Sequence, residues 1–197
     1  MKNLMKFSLI VAVFLTAFGA SANEKDFSLK VKGEKGKTVS FSINKAKNIS
    51  LSIYGKDNEA LFDEKITSNG TFNRTYDLNA FPEGNYILEV ETDAKLEQYE
   101  IHISGNTASI SETAITEVFK PELIKGEGFV TLNIAKISNS PIEVAILDEN
   151  NTELYTGTYT NRTSLSKKFD TNKTLSKKLT FVVKYKDQIF SETIASR

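Results

Sequence analysis

Ile49-Ser50-Leu51-Ser52-Ile53 and, 93 residues further on, Ile142-Glu143-Val144-Ala145-Ile146 carry one pattern: apolar side chains at every second position. A period of two belongs to a half-buried β-strand, whose successive side chains point to opposite faces. The shift of 93 extends outward on both sides. Leu61-Phe62 falls on Leu154-Tyr155, Ile66 on Tyr159, Phe72 on Leu165, Tyr76-Asp77 on Phe169-Asp170 and Asn79 on Asn172. Tyr86, Leu88 and Val90 fall on Leu179, Phe181 and Val183, while Val39, Phe41 and Ile43 meet Val130, Leu132 and Ile134 at a shift of 91. Self-similarity at a fixed spacing means two copies of one structural unit.

Within the first copy, alternation recurs at Phe27-Leu29-Val31, Val39-Phe41-Ile43, Ile49-Leu51-Ile53, 61–66, 72–78, Tyr86-Leu88-Val90 and Tyr99-Ile101-Ile103. Turn chemistry separates these runs at 33–36, 45–47, Asp57-Asn58, Asn69-Gly70, Pro82-Glu83-Gly84 and Thr92-Asp93, residue types that supply tight or left-handed backbone. The second copy repeats the plan, with turns at 126–128, 148–151, Asn161-Arg162 and Asp187-Gln188. Short strands at this spacing predict an all-β fold: two tandem immunoglobulin-like antiparallel β-sandwiches, over residues 23–104 and 119–197. Residues 105–118, rich in Ser, Thr and Ala, read as a linker that is extended and partly paired with a sheet edge. Residues 23–104 are expected to fold alone.

The first 22 residues read differently. Lys2 and Lys6, the apolar run from Phe7 to Phe18 and the small-x-small Ala20-Ser21-Ala22 form the pattern of a secretory signal peptide. Its removal leaves Asn23 as the N-terminus and takes both methionines, so the mature chain has no Met, Cys or Trp. Charge moves from 25 basic against 25 acidic residues to 23 against 25, which excludes an overall basic, nucleic-acid-seeking protein. Absent cysteine excludes disulfides, thiolate metal sites and a cysteine nucleophile. An exported chain without cysteines and without a transmembrane segment in its mature part is expected in a bacterial periplasm or at the cell surface. Six Asn-x-Ser/Thr triplets, at Asn48, Asn69, Asn73, Asn150, Asn161 and Asn172, follow by chance from a chain so rich in these residues.

Pro82-Glu83-Gly84-Asn85-Tyr86-Ile87-Leu88-Glu89-Val90 is the most specific stretch. Gly84 permits a tight turn, and Tyr86 sits where a corner tyrosine bonds backbone through its hydroxyl. At the matching place the second copy has Ser176-Lys177-Lys178-Leu179. From Ile49 to Ile103 the order of strand, Asp57-Asn58-Glu59 turn, strand, 76–81, Gly84-Asn85-Tyr86 and a final alternating strand resembles immunoglobulin-like modules of Bacteroidota. It is similar in particular to the C-terminal sorting domain of type IX secretion cargo. That resemblance implies an immunoglobulin-like fold and a secretion-related passenger or adaptor.

Functional residues are sparse. Asp57-Asn58-Glu59 and Asp148-Glu149-Asn150 lack the convergent oxygens of a calcium loop and read as turns. His102, the single histidine, alternates with Ile101 and Ile103 and is expected at the surface, without the further ligands of a zinc site. Glu89 and Glu91 share an outward strand face and read as surface charges, not as a general acid and base. No catalytic residue, cofactor site or metal site is therefore assigned. Between Arg162 and Lys186 stand eight basic residues and one acid, Asp170, against 11 basic and 14 acidic in residues 23–104. Lys167, Lys168, Lys177 and Lys178, read as lying on neighbouring strands, form a candidate anion-facing patch. The expectation is a non-catalytic envelope module that binds a protein or glycan partner, and no nucleic acid.

Overall fold

The computed structural model describes residues 29–32, 36–43, 47–67, 72–137 and 140–196. The signal peptide, Phe27, most of the turns at 33–36 and 45–47 and the Asn69-Gly70 turn lie outside the described residues. The chain divides into two compact units, one spanning 21–120 and the other containing 121–197.

In the first unit, β1 (Leu29–Lys32), β2 (Thr38–Ile43) and β5 (Phe72–Asp77) form one antiparallel sheet in the order β1-β2-β5. β3 (Asn48–Tyr54), β4 (Ala60–Thr67), β6 (Gly84–Thr92) and β7 (Lys95–Ser104) form the other, in the order β4-β3-β6-β7. Alternation puts Val39, Phe41 and Ile43 from one sheet, and Leu51, Ile53, Leu88 and Val90 from the other, into one core at 2% exposure or less. The Phe62 ring meets Tyr76 edge-on across the sheets at 5.1 Å. Burying each such side chain contributes on the order of 1.5–3 kcal/mol.

The second unit repeats this arrangement. Its sheets are β10 (Glu122–Gly126), β11 (Phe129–Ile134) and β14 (Leu165–Asp170), and β13 (Glu153–Tyr159), β12 (Ile142–Leu147), β15 (Lys178–Tyr185) and β16 (Gln188–Ala195), each in that order. Val130, Leu132 and Phe169 pack toward Ile146, Leu179 and Phe181, and the Phe169 and Phe181 rings meet at 5.5 Å. Both units are immunoglobulin-like β-sandwiches with a three-plus-four strand split. The repeat holds at the level of single hydrogen bonds. The ladder slips between Ile53 and Tyr54 and, 93 residues on, between Ile146 and Leu147. Asn58 and Asn151 take φ of 57° and 60° in the turns that follow, a conformation asparagine tolerates better than most residues. Leu78 N donates to Lys37 O at 2.7 Å, and Thr171 N to Gly128 O at 3.0 Å.

The units differ at one margin. Residues 105–119 carry two short strands, β8 (Thr107–Ile110) and β9 (Thr116–Phe119), both paired with the outer edge of β7. A two-residue loop at Gly105 and Asn106 turns the chain back, and it then runs along β7 to Lys120, whose N–H donates to Ala94 O at 2.8 Å. Ala108, Ile110 and Val118 are buried by this pairing, so the connector is part of the sheet that contains β7 for most of its length. No strand covers the outer edge of β16 among the described residues.

The Tyr86 corner closes one end of the first sandwich. Gly84 opens β6 at φ 150°, the Tyr86 hydroxyl donates to Pro82 O at 2.8 Å, and its ring meets Phe81 edge-on. In the second unit the aligned residue is Leu179. There Ser196 N donates to Lys177 O at 3.0 Å and the Ser196 hydroxyl donates to Ser176 O, tying the same end through β16. Tyr86→Phe should lower the stability of the first unit by about 0.5–1.5 kcal/mol, the net worth of a hydrogen bond. Tyr86→Ala should cost about 3–5 kcal/mol. Denaturant unfolding measures both, and a Tyr86→Ala protein as stable as the parent would contradict the corner's structural role.

Candidate functional site

The four lysines expected to share a face are separated by the topology. Lys167 and Lys168 lie on β14, the edge of the three-stranded sheet, whereas Lys177 and Lys178 lead into β15 of the four-stranded sheet. They are not on neighbouring strands, because the chain crosses from one sheet to the other between them. Period two then parts the first pair. Lys167 stands opposite Leu132 on the core-facing side, and Lys168 opposite Thr131 on the outer side. The Lys168 ammonium sits 3.4 Å from the centroid of the Phe129 ring. That ring lies across Gly126, where a Cβ would come within 2.2 Å of it.

The other sequence candidates are engaged locally. Glu89 accepts from Gln98 Nε2 at 2.8 Å and from the Tyr54 hydroxyl at 3.4 Å, while Glu91 pairs with Lys120 at 2.8 Å. Burial pushes the Tyr54 phenol up, and the Glu89 charge adds to it. His102 is exposed, with Nδ1 2.6 Å from Asn85 Oδ1. Asp148 Oδ1 accepts from the N–H groups of Asn150 and Thr152, both at 2.8 Å. The Thr152 N–H above all holds this carboxyl below the usual carboxylate value. Among the described residues, no group of three or more His, Asp or Glu side chains could hold a metal ion.

The chemistry missed from sequence lies where the two sheets of each sandwich meet at the β4–β5 and β13–β14 margins. In the first unit, Glu64 on edge strand β4 stands opposite Leu51 and points inward. It accepts from Arg74 Nη2 at 3.0 Å and from the Tyr76 hydroxyl at 2.5 Å, both on β5. The Tyr76 bond is the main cause of a Glu64 carboxyl held low, and burial with the Glu64 bond pushes the Tyr76 phenol up. A charge aimed inward on an edge strand also guards that edge against pairing with another chain.

The second unit builds the same margin from other residues. At the 93-residue shift, Arg74 becomes Lys167, Tyr76 becomes Phe169, Phe62 becomes Tyr155, Ile66 becomes Tyr159 and Glu64 becomes Gly157. The ring pair is kept: Tyr155 meets Phe169 edge-on at 5.1 Å, as Phe62 meets Tyr76. The Tyr155 and Tyr159 hydroxyls are 2.5 Å apart. A Cβ at Gly157 would lie 2.4 Å from the Tyr155 oxygen, so glycine lets that hydroxyl reach across. Burial, then the bond to Tyr155, pushes the Tyr159 phenol up, and the charge of Arg162 opposes the shift. Lys167 Nζ lies 5.7 Å from the Tyr159 ring centroid. No carboxylate pairs with Lys167 or Arg162 among the described residues. The replacement of Glu64 by Gly157 opposite a retained cation was visible in the repeat; its meaning required knowing that β4 and β5 meet.

A second feature missed from sequence is an inward carboxylate in the first unit. Glu97 is 6% exposed and stands opposite Val90 on one side and Glu117 on the other. Lys95 Nζ bonds Glu97 Oε1 at 2.9 Å and Glu117 Oε1 at 3.2 Å, while Glu97 Oε2 has no hydrogen-bond partner. Burial pushes the Glu97 carboxyl up, Lys95 opposes this and Glu117 adds to it. The folded protein therefore holds this proton to higher pH than the unfolded chain does, and stability falls as pH rises from the ordinary carboxylate value through the raised one. Glu97→Gln should raise the melting temperature of the first unit at pH 7, with the gain shrinking as pH falls toward 4. A lower melting temperature for the variant at pH 7 would show that the Lys95 pair outweighs the burial.

No family model matches the chain, and no curated protein matches it. Among solved structures, one described as a biofilm associated protein, BSP domain, aligns with 84% of this chain at 16% identity and a TM-score of 0.26. The alignment spans 29% of that longer chain. Among the described residues, no helix is long and apolar enough to cross a membrane.

Proposed function

We propose that this chain is an exported, non-catalytic module of the cell envelope whose second unit binds an anionic partner. The observation that carries this reading is the contrast in how the two units settle their inward cations. In the first unit, Arg74 is held by Glu64, and Lys95 by Glu97 and Glu117. In the second, the inward-facing Lys167 has no carboxylate partner among the described residues, nor has Arg162, exposed in the loop before β14, and the stretch holds eight basic residues and one acid. Positive charge left uncompensated beside aromatic rings attracts anions and is strengthened by partial burial. Lys168, Lys177 and Lys178 widen the positive surface without joining one site, so they serve encounter more than recognition.

The alternative of a type IX secretion passenger or adaptor draws on the Gly84-Asn85-Tyr86 segment. Within that segment Gly84 and Tyr86 are taken up by the tyrosine corner, and Asn85 stands exposed beside His102. The bacterial periplasm or cell surface is the proposed location, and mass spectrometry of the exported protein should find Asn23 at its N-terminus.

The binding reading predicts that the full mature chain is retained on an immobilised anionic polysaccharide at low ionic strength and released by salt. Amide chemical shifts should move in the second unit on titration with the soluble polymer. Shifts confined to the first unit, or no retention, would overturn it.

A further inference from the structure

The first unit contains, within its own chain, the ligand that the second lacks. Glu64 is held there by one phenol hydroxyl and one cation, Tyr76 and Arg74. At the same margin of the second unit the chain again supplies phenol hydroxyls and a cation, Tyr155, Tyr159 and Lys167, while the position of the carboxylate is taken by Gly157. Two hydroxyls that share one hydrogen bond use one of their two O–H groups, so the second remains a donor. The same kinds of donor, a phenol O–H and a cation, thus stand at this margin without the anion, although the hydroxyls come from the positions of Phe62 and Ile66 and the position of Tyr76 is Phe169.

Resting on the binding role just proposed, we infer that the β13–β14 margin of the second unit is a carboxylate subsite, and that its ligand is an acidic glycan bearing a uronic acid. The carboxylate would take the Lys167 ammonium and the free tyrosine O–H, as Glu64 takes Arg74 and Tyr76. The sugar hydroxyls would engage the Tyr155–Tyr159 pair, which offers acceptor as well as donor atoms, and Arg162 would add long-range attraction. A peptide strand is disfavoured here, because lysines on an edge strand such as β14 oppose strand addition. Retaining the cation while deleting its partner is costly for folding alone, since a half-buried charge without an opposite charge gains nothing from burial. An external anion would compensate that charge.

The test uses the full mature protein and polygalacturonate as the probe, with oligo-glutamate as a peptide carboxylate, in binding titrations at fixed low ionic strength. Polygalacturonate should bind, and Lys167→Met should weaken it by about tenfold or more, the scale of one charged hydrogen bond. Lys184→Met, which removes one charge from the outer face of the other sheet, should change it by less than about threefold. Gly157→Glu restores the carboxylate at the position of Glu64 and should weaken binding as much as Lys167→Met does. Circular dichroism checks that each variant is folded, and Lys167→Met carries the test if Gly157→Glu does not fold. Equal losses in Lys167→Met and Lys184→Met would leave general anion binding intact and overturn the subsite, as would wild-type affinity in a folded Gly157→Glu. Binding of oligo-glutamate but not polygalacturonate, dependent on Lys167, would overturn the glycan assignment in favour of an acidic protein. Binding of neither probe would overturn the subsite and the wider reading together.

Discussion

Everything in this structure depends on one packing constraint: two antiparallel sheets must bury their inward side chains against each other. Leu51 and Val90 at 0% exposure, with Phe41 facing them at 2%, show how completely the first unit meets it. The second unit meets it with Leu132 at 0% and Phe181 at 2%. Once the inward positions are occupied, the outward ones are free to vary, and the two copies vary there widely. The core explains why the repeat survives at the level of apolar class while identity is lost, because volume and pattern are what a core requires.

The sandwich fold, the repeat and the Asn58 and Asn151 turns could be read from the sequence because each is a local signal. Alternation, left-handed turn residues and a glycine before a corner tyrosine act over a few positions. The placement of the lysines could not be read that way. Lys167 and Lys168 are adjacent in sequence but point to opposite sides of β14, and Lys177 and Lys178 begin on the other sheet. That separation comes from the crossover between sheets, which no local pattern encodes. The strands within 105–118 were only half legible: Ala108 and Ile110 do alternate with Thr and Ser, but their burial depends on the edge of β7 being open to them. The Glu64, Arg74 and Tyr76 cluster was hidden for the same reason, since its members come from two sheets.

Margins, then, are where the copies differ in chemistry. In the first unit an inward glutamate with its arginine and tyrosine closes one side, and the returning connector covers the other. Both devices satisfy groups that would otherwise face solvent or a foreign strand. The second unit keeps the cation of the first margin without its acid and leaves β16 uncovered among the described residues. One backbone thus supports a copy whose margin arginine is paired from within and a copy whose matching lysine has no carboxylate partner among the described residues.

The claim of equal cores and unequal margins is tested most directly by residue-resolved amide hydrogen exchange on the full mature chain. Central strands β3, β6, β12 and β15 should be comparably protected. Along the outer margins, the β7 amides directed toward β8 and β9 should exchange slowly, and the outward amides of β16 rapidly. Equal protection of those outward amides on β7 and β16 would contradict the account, because it would mean that the returning connector does not distinguish the first sandwich from the second.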